Sequence, residues 1–415
     1  MKCHRVVHLI AAVGFFGVFA QPLATFAWTN VPKPPPVAYV YVSSNYSGSS
    51  NRIQAFAAAR DGRLTPIAGS PFPCDVSGMA VNGKYLFGTG TNGTDVDTFG
   101  ITWDGGLKQV QTINVQNYNS SGCSGLLTPV LDHTGADLYV PVLQGDTCGD
   151  SAYQSFRIDK PTGQLKYLGV TAQAFLFNGP LSFIGNNVFA YGSDCIDYQG
   201  NVGDTFAGFQ RGSNGTLTAA NVNAPRPATE NSGSFYCRGL VAADRANHLA
   251  VSVQAVDNAT FTPPGGRPQL ATYTEHDGGN LTTASKYWNM PYTLLEGVSA
   301  LSMAPSGRLL AVGGSNGLQV FHFNEDDPIT PYTGLLMKDS IAQVSPATDL
   351  MFWDNDNHLY ALSPSAGKLY VFTVTGDDVR QAPGSPYVIQ NPQALIVQPR
   401  SELDPSVWHN APDRN

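Results

Sequence analysis

Hydrophobic and polar positions along the chain repeat as a unit. Tyr39 to Val42 is apolar throughout, a polar loop follows, Arg52 to Phe56 alternates, Asp61-Gly62 turns the chain, and Leu64-Thr65-Pro66 closes the stretch. A fully apolar run reads as a strand buried on both faces, and an alternating run as one buried more on one face than the other. The first-strand pattern returns at Leu86-Phe87, Leu138-Tyr139-Val140, Val188-Phe189, Leu249-Ala250-Val251, Leu310-Ala311-Val312 and Leu359-Tyr360, at spacings of 46 to 61 residues counting from Val40. Each copy is followed by a second alternating strand, and most by a Gly- or Pro-containing turn and a short outer strand, as in "DGGLKQV" and "PTGQLKYL".

Six of the copies are also preceded by an apolar run, such as "GMAV", "GLVAA" and "ATDLMFW". The first copy has none, and the missing strand stands at the other end of the chain as Pro392 to Pro399. Four antiparallel strands per unit and a period near that of known propeller blades predict an all-β fold, a seven-bladed β-propeller closed by a C-terminal strand completing blade 1. One blade cannot bury its two faces alone, so stacking against neighbours has to do it.

Composition sharpens this picture. Only 13% of residues are charged, and Gly and Pro number 43 and 29, as turn-rich β structure demands. Residues 1–27 read as a signal peptide, with Lys2 and Arg5 ahead of the apolar Leu9 to Ala20 and with Ala20 and Ala27 as cleavage positions. Residues 28–36 form a Pro-rich lead-in, 37–400 the propeller and 401–415 a tail. The expected localisation is secreted or periplasmic, without a membrane span. A net charge of -8 with no basic cluster excludes nucleic acid as a partner and leaves a small-molecule or glycan ligand and a monomeric chain as the expectation.

Most motif matches dissolve in context. "GTGTNG", Gly88 to Gly93, fits G-x-G-x-x-G, but an alternating strand pattern follows it where a dinucleotide site needs a helix. Trp103-Asp104 and Trp353-Asp354 hold different places in their blades, unlike a WD40 array. His133, His248 and His358 fall in turns between the innermost strand and the next, and no His/Cys spacing suits zinc. The Asp-rich loops Ser193 to Asp204 and Gly145 to Ser151 are the calcium candidates, without EF-hand spacing, and otherwise no cofactor is implied. No G-x-S-x-G surrounds Ser124, which leaves a serine triad without support.

Five cysteines follow the signal peptide, and an exported chain oxidises them. Their blade positions place Cys123, Cys148, Cys195 and Cys237 on one face, here called the top, and suggest the pairs Cys123–Cys148 and Cys195–Cys237, with Cys74 left over.

Aligning the units gives the sharpest site signal. Five blades enter the innermost strand through a residue followed by glycine: Ser77-Gly78, Ser124-Gly125, Asn178-Gly179, Arg238-Gly239 and Glu296-Gly297. These side chains are expected around the top mouth of the central channel, with Ser77, Ser124 and Asn178 as ligand-binding groups. Arg238 and Glu296, in adjacent blades, are the charged pair and the catalytic candidates. Arg238 would anchor a carboxylate or polarise a carbonyl, and Glu296 would activate water. The structural alternative is a salt bridge between the two blades.

The unit from Tyr39 to Phe72 resembles the repeat of the lactonase-type seven-bladed propellers, the 6-phosphogluconolactonase-like family that includes fungal carboxy-muconate cyclase, and is similar to the YVTN surface repeats. The resemblance spans Val37 to Arg400 and implies a lactone hydrolase or a related lactonising enzyme. The P-H-x-H motif of phosphogluconolactonase-type members is absent from the corresponding stretch, Cys123 to Cys148, so no functional residue carries over. Two readings stand: a lactonase-like enzyme acting on a lactone or sugar-acid derivative, and a non-catalytic binding or scaffold propeller. A Glu296 not locked to Arg238 favours the enzyme.

Overall fold

The computed structural model describes residues 34–400 apart from 46–50, 119–121, 124, 145–149, 174–180, 197–201, 262–265, 343–349, 356 and 377. It contains seven antiparallel sheets. In blade 1 the order from the axis outward is Pro392–Pro399, Ala38–Ser44, Arg52–Ala58 and Leu64–Pro66. The C-terminal strand therefore supplies the innermost strand of the N-terminal blade. Its register with Ala38–Ser44 runs from Ala38 opposite Pro399 to Ser44 opposite Pro392. Blades 2 to 6 follow in chain order with four strands each, and blade 7 carries an additional short strand, Tyr387–Val388, against Lys368–Thr375. "GTGTNG" begins at the end of the strand Tyr85–Gly90 and leads into the strand Asp95–Ile101, so no helix opens there.

The core lies between the blades. Along Ala38–Ser44 the side chains alternate between two seams: Ala38, Val40 and Val42 pack toward blade 7, Tyr39 and Tyr41 toward blade 2. Leu138, Val140 and Val142 of blade 3 likewise face blade 2, while Tyr139 faces blade 4. This period-two division explains the unbroken apolar runs of the second strands.

Five seams, those entered by the turns of Gly62, Gly105, Gly163, Gly215 and Gly279, carry the same lock among the described residues. The turn between the third and outer strands holds a glycine at positive φ, which only glycine adopts readily. That turn docks against the second strand of the preceding blade. Gly105 has φ +84, and a Cβ there would sit 2.5 Å from the Tyr39 ring. Gly163 meets Tyr85 in the same way and Gly279 meets Phe189. Tyrosine hydroxyls then donate to carbonyls of the docked turn: Tyr41 to Gly105 at 3.0 Å, Tyr139 to Gly215 at 2.9 Å and Tyr191 to Gly279 at 2.8 Å. Burial raises the pKa of all three phenols, so they remain protonated donors. In blade 6 the turn residue at positive φ is Glu325, with φ 62.

The histidines belong to the bottom face. His248 and His358 each begin a second strand and place Nδ1 2.7 Å from the carboxylate four residues earlier, Asp244 and Asp354. The same carboxylates accept the backbone N–H of each histidine. These are turn-forming contacts, and His358 fills the space beside Gly62 of blade 1. Trp353 ends the innermost strand of blade 7 and donates through Nε1 to Ser302 of blade 6 at 3.0 Å.

Gly105→Ala combines a left-handed backbone with a clash and should cost about 2–4 kcal/mol. Tyr41→Phe should cost about 1 kcal/mol. Gly233→Ala, with no atom within 4 Å of the new Cβ, should leave stability unchanged within about 0.5 kcal/mol. Urea unfolding midpoints test the ranking, and a Gly105→Ala protein as stable as wild type would refute the seam lock.

Candidate functional site

In blades 2 and 5 the residue-then-glycine signal corresponds to a backbone irregularity where the innermost strand begins at the top face. In blade 2 the ladder slips between Val76 and Gly78, and in blade 5 between Arg238 and Val241. Such bulges leave one residue out of the pairing and re-aim its side chain. A hydroxyl on the second strand satisfies the freed backbone: Gly78 N–H donates to Thr89 Oγ1 at 3.1 Å and Leu240 N–H to Ser252 Oγ at 2.9 Å. Gly78 also packs closely, because a Cβ there would lie 2.9 Å from Thr128 of blade 3. The glycines thus serve the bulge: in blade 2 the residue before it, Ser77, is the displaced member, and in blade 5 Arg238 stays opposite Val253 while Gly239 and Leu240 leave the pairing.

Ser77 is half-buried and donates to the Thr89 carbonyl at 3.3 Å. Blade 1 has the same irregularity between Ser43 and Ser44, opposite Gln393. Gln393 is half-buried and accepts from Asn51 Nδ2 at 2.8 Å. It was hidden in the sequence because Ala394, not glycine, follows it. Ser124, Asn178 and Cys148 lie outside the described residues.

Arg238 is buried, with 7% exposure, and turns into the seam between blades 4 and 5. Its Nε donates to Asp204 Oδ1 at 3.0 Å, Nη2 to Asp204 Oδ2 at 3.2 Å and Nη1 to the Ala224 carbonyl at 2.5 Å. Its own backbone N–H also donates to Asp204 at 2.8 Å, and its guanidinium lies 4.9 Å from the Phe206 ring centre. The carboxylate it grips is therefore Asp204, a residue at positive φ near the start of the third strand of blade 4. No ion pair joins Arg238 to Glu296. A second arginine, Arg226, donates through Nε at 2.5 Å to Asp204 Oδ2, the oxygen that also accepts from Arg238 Nη2. This pairing takes Asp204 out of the calcium reading of its loop, since both its oxygens already serve guanidinium groups.

The same corner is cross-linked. Cys195 and Cys237 form a disulfide between the second strand of blade 4 and the innermost strand of blade 5. Ser193 Oγ donates to the Arg238 carbonyl at 2.9 Å. Cys123 and Cys74 are both buried, Cys74 in the blade 1–blade 2 seam.

Glu296 is exposed at the top of blade 6. Its backbone N–H donates to Asn316 Oδ1 at 3.0 Å, and its carboxylate forms no ion pair among the described residues. The two charged candidates therefore differ in kind. Arg238 is a buried brace of the fold, and Glu296 is a solvent-facing carboxylate able to accept a proton. Arg226 and the arginine-binding role of Asp204 escaped the sequence reading because these partners are brought together only by packing. The one local hint was Pro225-Arg226-Pro227, in which flanking prolines hold the arginine in extended backbone.

Removing one partner of a buried ion pair leaves the other charge uncompensated. Asp204→Ala should therefore destabilise the protein by about 3 kcal/mol or more, whereas Glu296→Gln should change stability by less than about 0.5 kcal/mol. Chemical denaturation of the two variants with the disulfide intact tests this, and equal stabilities would refute the brace.

No protein-family model matches the sequence, and no curated protein matches it significantly. Solved structures do match. The periplasmic gluconolactonase of Pseudomonas aeruginosa superposes with a TM-score of 0.59 at 15% identity, covering 87% of this chain and 98% of that one. A Bacteroides fragilis protein proposed to be a 6-phosphogluconolactonase gives 0.58 at 12% identity, with 87% and 97% covered. A Lactobacillus plantarum protein gives 0.60 at 10%, with 87% and 98% covered. The chain is similar to these proteins in fold along nearly its whole propeller: it has the architecture of the lactonase-type seven-bladed propellers.

Proposed function

We propose that this protein is an exported propeller that opens an unphosphorylated sugar lactone at its top face. The observation that carries the reading is the exposed Glu296 carboxylate, which no ion pair occupies among the described residues. In the proposed reaction Glu296 takes a proton from water as the water oxygen bonds to the lactone carbonyl carbon. The ring C–O bond then breaks, the ring oxygen takes up a proton, and the product is the open hydroxy acid. Ser77, Ser124 and Asn178, with Gln393 added by its bulge, are the neutral polar groups proposed to orient the sugar hydroxyls. Arg238, committed to Asp204 in the blade seam, is not a direct anchor for the substrate.

The fold likeness to a periplasmic gluconolactonase supports the substrate class. Export is supported by the signal-peptide pattern and by the Cys195–Cys237 disulfide, which suits an oxidising compartment. Among the described residues no helix is long and apolar enough to cross a membrane. A second reading, a non-catalytic binding propeller, is favoured by the commitment of Arg238 to the blade seam.

The test is pH-stat hydrolysis of a panel of sugar lactones, with a 6-phosphorylated lactone for comparison. Turnover should be seen on the unphosphorylated members. Glu296→Gln should lower kcat by about 100-fold or more with folding intact, and Ser77→Ala should act mainly on KM. Turnover unaffected by Glu296→Gln would discard this site, and no turnover on any lactone would leave the binding propeller.

A further inference from the structure

We propose that Arg226 forms a carboxylate-binding subsite on the blade 4–blade 5 rim, receiving a sugar acid end-on through its two terminal amino groups. The choice of a sugar acid rests on the lactone reading above, while the anion-binding geometry stands on its own. Arg226 is held from three sides. Asp204 takes its Nε at 2.5 Å, the Phe235 ring lies 4.3 Å beneath its guanidinium carbon, and Pro225 and Pro227 hold its backbone extended. What remains are Nη1 and Nη2, which have no hydrogen-bond partner among the described residues, on a side chain 48% exposed.

Charge favours the same ligand. One carboxylate, Asp204, faces two guanidinium groups, so this three-residue cluster carries one positive charge in excess in a chain with net charge -8. Arg238 is buried and cannot present that charge to solvent, so the excess is displayed by Arg226. A planar guanidinium with its Nε already bonded offers two parallel N–H groups at its end, the geometry that accepts a carboxylate in bidentate fashion. Phe261, 56% exposed and with its ring 6.2 Å from that of Phe235, extends an apolar wall beside the fork, against which the carbon chain of the ligand can lie. Side-chain entropy that a mobile surface arginine loses on binding is here lost during folding.

Titration calorimetry of the disulfide-intact protein with sodium gluconate, sodium acetate and inorganic phosphate tests the subsite. Gluconate should bind wild type more tightly than acetate or phosphate. Arg226→Gln should weaken gluconate binding on the order of 10- to 100-fold, and Arg226→Lys, which keeps the charge and loses the fork, should restore only part of it. Unfolding midpoints of the variants, measured alongside, establish that each is folded. Wild-type affinity in Arg226→Gln, no gluconate binding by wild type, or tighter binding of phosphate would each overturn the proposal. Lactone hydrolysis in a protein that binds no gluconate removes the subsite and keeps the hydrolase. Arg226-dependent gluconate binding in a protein that opens no lactone keeps the subsite and removes the hydrolase.

Discussion

The seam between neighbouring blades is the contact on which the rest of the molecule depends. A blade is a thin sheet with two apolar faces, and neither face has anything to cover it except the next blade. The seam meets this need with shape and polarity together. A glycine turn approaches the preceding blade more closely than a side chain permits, and tyrosine hydroxyls meet the carbonyls that the turn would otherwise bury unpaired. The repeat tolerates loops of very different length because the lock lies in the turn and the second strand, on the side away from those loops.

That division of labour explains where chemistry can be placed. The bottom carries the aspartate-anchored turns in which His248 and His358 are held, so the histidines are consumed by structure. The top carries the bulges, the connections between blades and the disulfide. In blade 5 the bulge follows Arg238, which keeps its place opposite Val253 while Asp204 draws its side chain into the seam. One aspartate thereby sets the roles of two arginines, burying Arg238 and steadying Arg226 at the surface. Glu296 stands apart from this network and keeps a carboxylate in solvent.

The architecture was legible because it is written in local pattern. Apolar runs at Tyr39–Val42 and Leu138–Val140, turn pairs such as Asp104-Gly105-Gly106, and the orphan strand Pro392–Pro399 are each recognisable within a few residues, and their order fixes blade number and closure. The residues of the mouth were legible in part. Glycine marked the bulges of blades 2 and 5 and missed that of blade 1, where Ala394 takes its place. Partners were the least legible. Sequence adjacency of blades 5 and 6 suggested Glu296 for Arg238, whereas the carboxylate that reaches it comes from blade 4.

By itself, then, the sequence determined an all-β ring of blades and its closing strand, since these follow from the period of burial and from turn chemistry. Only the tertiary structure decided which charges meet. Asp204 and Arg238 are 34 residues apart on different sheets, and they meet where the backbone is at positive φ at one and a bulge follows the other. Ion pairing depends on distances of a few ångströms between side chains brought together by packing, and no periodicity in the chain encodes them.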